Sequence, residues 1–141
     1  MIDNLHPVFV HFPIACITVA FFFQLFQVIV PKNTPRNASL WLMGIAAVFA
    51  LISSQTGELA FSSHSSLNAF QIEEVNTHEL FANITTWGTI LIFVGWVFAY
   101  LQGVQNRKVD ILIFAFLSLL TMAVLVTGYL GGKLVHLYHI H

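Results

Sequence analysis

Four uninterrupted apolar stretches of about 20 residues, the length that crosses a hydrocarbon core, divide this chain and leave only short polar breaks between them. Such a chain folds in a lipid bilayer or not at all. The stretches predict helices near 8–30, 39–61, 81–102 and 111–135. Their breaks are turn-like: Pro31-Lys32-Asn33-Thr34-Pro35-Arg36-Asn37, a longer stretch from Ser62 to Thr77, and Gln105-Asn106-Arg107-Lys108. None is long enough for a soluble domain. The expected fold is therefore all-α, an integral membrane four-helix up-and-down bundle forming a single domain over residues 1–141. Charged residues are only 8% of the chain, against roughly a quarter in soluble proteins. A net charge of −1 with no basic run gives no electrostatic footprint for nucleic acid. The single cysteine, Cys16, lies inside the first apolar stretch, which excludes an internal disulfide. No Lys or Arg precedes that stretch, so the positively charged start of a cleaved signal peptide is missing and a retained helix is expected.

Orientation follows from the cations, because short loops rich in Lys and Arg stay in the cytoplasm. Lys32 and Arg36 flank one connection, Arg107 and Lys108 the other, and an up-and-down bundle puts both on one side. The opposite side carries Asp3, Glu58, Glu73, Glu74 and Glu79, with Lys133 as its cation. The expected location is a bacterial-type inner membrane, with both termini and the connection between helices 2 and 3 on the periplasmic side.

All seven histidines fall on that same outer side: His6, His11, His64, His78, His136, His139 and His141. Neutral imidazole is the commonest protein ligand for transition metals and carries protons near neutral pH, so the asymmetry points to a site. His11 lies about one turn inside the membrane boundary, where an imidazole needs a ligand, a partner or the bundle interior. His6 is five residues earlier and reaches the same centre only if the chain between them departs from ideal helix, for which Pro7 gives an opening. Glu58, near the end of an otherwise uncharged helix 2, is expected level with His11. A carboxylate there orients an imidazole, binds metal or relays a proton, unless it simply snorkels to interfacial water. His78 and Glu79 open helix 3, with Thr77 or Asn76 as expected cap. On helix 4, Gly128 and Gly132 form a small-x-x-x-small pair that favours helix packing or close approach of a flat cofactor. His136 then marks the outer boundary, followed by the tail histidines His139 and His141. No phosphate loop, zinc-finger cysteine pair or serine elbow is present.

The opening run His6-Pro7-Val8-Phe9-Val10-His11-Phe12-Pro13-Ile14-Ala15 and the closing run Gly131-Gly132-Lys133-Leu134-Val135 resemble a family of small four-helix bacterial membrane proteins known as domain of unknown function 2231. Members look like membrane partners of redox modules, sometimes joined to Rieske-type or cytochrome domains, and the resemblance implies electron transfer. The chain departs from that pattern after Val135, where histidines replace a glycine-rich ending.

The leading expectation is a b-type haem near the outer face, held by imidazoles from facing helices. His11 is the first axial candidate, His78 and His136 compete for the second place, and His6 stands behind them. A non-haem iron or zinc site of His11, His78, Glu58 and Glu79 is the alternative, since histidine with carboxylate suits either metal. A non-catalytic accessory subunit of a respiratory complex is the third. The expected partners are the bilayer, a quinone, a cytochrome or a larger respiratory complex; a homo-oligomer is compatible with the sequence.

Overall fold

The computed structural model describes residues 6–31, 37–62 and 68–138. Within them the chain forms four helices: α1 (His6–Ile29), α2 (Ala38–Ser62), α3 (Ala69–Leu101) and α4 (Arg107–Tyr138). They pack in a ring in which α1 touches α2 and α4, and α3 touches the same two helices. The diagonal pairs, α1 with α3 and α2 with α4, make no backbone approach. Each helix is long and apolar enough to cross a membrane. The bundle shows lipid an apolar coat, with Trp41, Leu91, Met122 and Tyr129 among its most exposed side chains. The protein is thus an integral membrane four-helix bundle, as its hydropathy predicts.

Two boundaries depart from the sequence reading. α3 begins at Ala69, not near residue 81, because Asn68 caps it in a reciprocal pair: the Asn68 Oδ1 accepts from the Gln71 N–H at 2.9 Å, and Gln71 Oε1 accepts from the Asn68 N–H at 3.0 Å. Thr77 and Asn76 are therefore interior helix residues and not caps. α4 likewise begins at Arg107, where Asn106 Oδ1 accepts from the Lys108 and Val109 amides. A hydropathy window sees the buried span of a helix, but polar residues such as Gln71, Glu73 and Glu74 extend the same helix into water. At 33 residues α3 is about 50 Å long, more than the roughly 30 Å hydrocarbon thickness requires. The overhang holds an ion pair between Lys133 Nζ and Glu74 Oε1 at 2.7 Å, which ties α4 to α3.

Down its axis the bundle is layered. The middle is a plug of Ile17, Ala20, Met43, Ala46, Leu117 and Leu120, where alanines let the helix backbones approach and the larger side chains fill the axis. Beyond it, toward the loops rich in Lys and Arg, lie Gln24, Gln27, Ser39 and Asp110, all buried. Gln24 Nε2 donates to the Asp110 carbonyl at 3.0 Å and joins α1 to α4 there. The tight connection from α3 to α4 turns at Gly103, whose φ of 68° is costly for any side chain. Gly103→Ala should cost about 1 kcal/mol, read as lower thermal stability in detergent with unchanged helix content.

Candidate functional site

On the other side of the plug the bundle axis is polar. Ser53 of α2, Thr85 of α3 and Thr127 of α4 are buried there, and the Thr85 and Thr127 hydroxyls are hydrogen-bonded to each other at 3.1 Å. Two imidazoles complete this layer, His6 from α1 and His78 from α3, contributed by diagonally opposite helices.

Each ring rests on a glycine of a neighbouring helix. A Cβ built on Gly57 of α2 would come within 2.9 Å of His6 Cε1, and one on Gly131 of α4 within 3.1 Å of His78 Cε1. Any larger residue at either position pushes on the ring, so these two glycines set where the imidazoles sit. Gly128 and Gly132 do not have that role. Gly128 faces Ile14 Cδ1 of α1 at an ordinary contact distance, and a Cβ on Gly132 would meet nothing within 4 Å. The small-residue spacing on helix 4 pointed one residue away from the notch.

Hydrogen bonding defines the tautomer of His6. Its Nδ1 lies 3.1 Å from the Thr56 hydroxyl, and that hydroxyl donates its own proton to the Ser53 carbonyl at 3.1 Å. The Thr56 oxygen is left to accept, so His6 Nδ1 carries the proton and Nε2 keeps its lone pair. Burial holds the His6 imidazole below its ordinary range, and the Ser53 carbonyl opposes this in part. The Nδ1 of His78 is buried and has no hydrogen-bond partner among the described residues. An orphaned buried ring nitrogen is expensive in a low-dielectric bundle unless something takes its lone pair or supplies an acceptor.

The pH dependence follows from the sign of the His6 shift. An unfolded His6 takes up a proton near its usual value of about 6.5, while the folded one, held lower, stays neutral. The folded state therefore binds fewer protons, and the stability contributed here is whole above that value and falls as pH drops below it. Melting temperature in detergent should decline from pH 7 toward pH 5, and His6→Gln should flatten that decline.

The other sequence candidates are not brought to this pair. His11 is exposed on the bundle surface, as are Glu58, Glu79 and His136. The reason is rotation about the helix axis. α1 runs unbroken through Pro7 and Pro13, and at about 100° per residue five residues turn His11 roughly 140° away from His6. One residue turns Glu58 from Gly57 and Glu79 from His78 by about 100°, and five turn His136 from Gly131. Pro7, which was expected to let His6 and His11 converge, sits in the first turn, where its missing amide disturbs nothing. Among the described residues no three His, Cys, Asp or Glu side chains converge as a metal-binding group. His64, His139 and His141 lie outside the described residues.

Comparison with known proteins agrees with this architecture. Neither the curated proteins nor the solved structures give a match. Residues 2–141 match the family described as "Predicted membrane protein (DUF2231)", the same one that the opening and closing motifs resemble. Both imidazole-bearing helices and both glycine notches fall within the matched span, so the chain belongs to that membrane-protein family.

Proposed function

We propose that this protein is a membrane electron-transfer protein that holds a b-type haem between His6 and His78. The observation that carries the reading is a pair of half-buried imidazoles from opposite helices, each seated on a glycine of a neighbouring helix, with the His6 ring held by the Thr56 hydroxyl. Ligating histidines almost always have their second nitrogen held in this way, which fixes the tautomer and raises the basicity of the ligating one. The lone pair on His6 Nε2 and the His78 Nδ1, unpartnered among the described residues, are the nitrogens left for a metal.

The number of donors favours haem over a bare ion. A non-haem iron or zinc centre usually takes three or more protein ligands, whereas haem brings four nitrogens of its own and asks the protein for its axial ones. Bound haem supplies one-electron chemistry, at a potential set by its axial ligands and the polarity around it. The chain's own residues do the rest. Thr56 aims the His6 ring, the two glycines seat both rings, and the plug of Ile17, Met43 and Leu117 keeps water from crossing the bundle. Because the pair lies at one end and the plug separates it from the other, electrons enter and leave near one face. The partner is then a quinone, a soluble cytochrome or a larger respiratory complex reached from that face. With the loops rich in Lys and Arg at the opposite end, that face is periplasmic by the positive-inside rule.

The visible spectrum of protein purified from haem-replete cells tests this. A red protein with reduced-minus-oxidised bands and about one haem per chain is expected. A colourless protein with stoichiometric iron or zinc would replace the haem with a simple metal site, and a colourless protein without metal would end both readings.

A further inference from the structure

At the basic end of the bundle a second feature is independent of the histidine pair. α3 and α4 are held together by the Thr85–Thr127 hydrogen bond and meet closely where a Cβ on Gly88 would lie 3.1 Å from Leu120 Cδ1. Toward the loop between them a lipid-facing cleft of about 540 Å³ opens, walled by Leu91 and Gly95 of α3 and by Leu112, Phe116 and Leu119 of α4. It remains open because Gly95 has no side chain, and a Cβ there would meet nothing within 4 Å.

The cleft has a polar mouth. Trp96, Ala99 and Val109 line both the cleft and a smaller depression that adds Asn37, Tyr100, Gln105 and Asp110. Lys108 lies one turn before Leu112 on the stripe that continues through Phe116 and Leu120, and residues four apart are neighbours on a helix face. Arg107 is beside it, and both are exposed. Asp110 is the one acid of the mouth and is nearly buried, with its backbone carbonyl held by Gln24. From Gly88 to Ala99 the apolar wall runs about 16 Å along α3, close to half of the roughly 30 Å hydrocarbon thickness.

We propose that this cleft binds an anionic glycerophospholipid from the leaflet at the basic end, with an acyl chain against Gly95 and the phosphate against Lys108 and Arg107. An apolar slot one leaflet deep fits an acyl chain, and the cations at its mouth select the head group. Basic pockets between membrane helices on the cytoplasmic side bind anionic head groups in this manner.

Native mass spectrometry of the full chain in detergent, titrated with phosphatidylglycerol and with phosphatidylcholine of the same acyl chains, tests the assignment. Phosphatidylglycerol should bind more tightly, and the double variant Arg107→Gln/Lys108→Gln should weaken it by about thirtyfold while leaving phosphatidylcholine unchanged. Gly95→Leu, which enters open space and leaves the fold intact, should abolish tight binding of both. Equal binding of the two lipids, indifference to the charge variants, or phosphatidylglycerol binding that survives Gly95→Leu would each overturn it. So would a dimer that fills the cleft and is not displaced by phosphatidylglycerol.

Discussion

His78→Ala should remove the haem absorbance of the purified protein, and His6→Ala should do the same, while His11→Ala leaves the spectrum as it was. The first two each remove one of the two imidazoles proposed to hold the haem; the third removes a ring exposed on the bundle surface. Loss of an outer orienting group commonly lowers metal affinity 10–100-fold, so loss of an axial ligand itself should exceed about tenfold. Thr56→Val gives the intermediate case. It deletes the hydroxyl that accepts from His6 Nδ1 and should weaken haem retention by about 10–100-fold without removing a ligand. Haem content per chain, measured after passage over a detergent exchange column, ranks the four variants. An His11→Ala protein as colourless as His78→Ala would return the site to the face of α1 that the structure turns outward.

The second large effect is steric and needs no change in chemistry. Gly57→Ala places a methyl group at 2.9 Å from His6 Cε1, and Gly131→Ala places one at 3.1 Å from His78 Cε1. Carbon atoms in proteins do not pack at the first distance, and the second requires the ring to yield. Both rings are the ends of short side chains with two torsions, so they can swing aside at modest cost, about 1 kcal/mol of overpacking. What is lost is the position of the nitrogens. Both variants should therefore keep a melting temperature near that of the parent yet lose haem, Gly57→Ala more completely than Gly131→Ala. Gly132→Ala, with nothing nearby to meet, is the matched control and should bind as the parent does. Unfolding in Gly57→Ala equal to its loss of haem would mean that the glycine serves helix packing alone.

The crossings were legible because depth in a membrane is written in one dimension. A run of about 20 apolar residues reports its own length, and each of the four apolar stretches lies, to within one residue, inside a helix of the structure. Length beyond the bilayer was not legible: Gln71, Glu73 and Glu74 continue α3 in water, where hydropathy carries no signal and only the Asn68–Gln71 cap marks the start. Azimuth was the larger loss. Sequence placed Glu58 level with His11, with His6 and His78 nearer the boundary, but which way each turns depends on the neighbouring helices. Burial cost made His11 and Glu58 seem the strongest candidates, and both instead project outward. One signal did exist. Five residues separate His6 from His11, so a straight helix cannot direct both inward, and the motif itself requires a choice between them. Gly57 and Gly131 carried the remaining information, since a glycine beside a half-buried ring on the next helix marks where that ring must sit. Recognising it needed the pairing of helices, which the sequence does not contain.

Ligation of one iron by both imidazoles is the central claim, and electron paramagnetic resonance of the oxidised protein tests it most directly. The pairing of His6 with His78 predicts a low-spin ferric signal of bis-imidazole type, and in any single-histidine variant that still retains haem, a high-spin signal in its place. A high-spin signal in the parent protein, or a low-spin signal that persists in His6→Ala or His78→Ala, would contradict it.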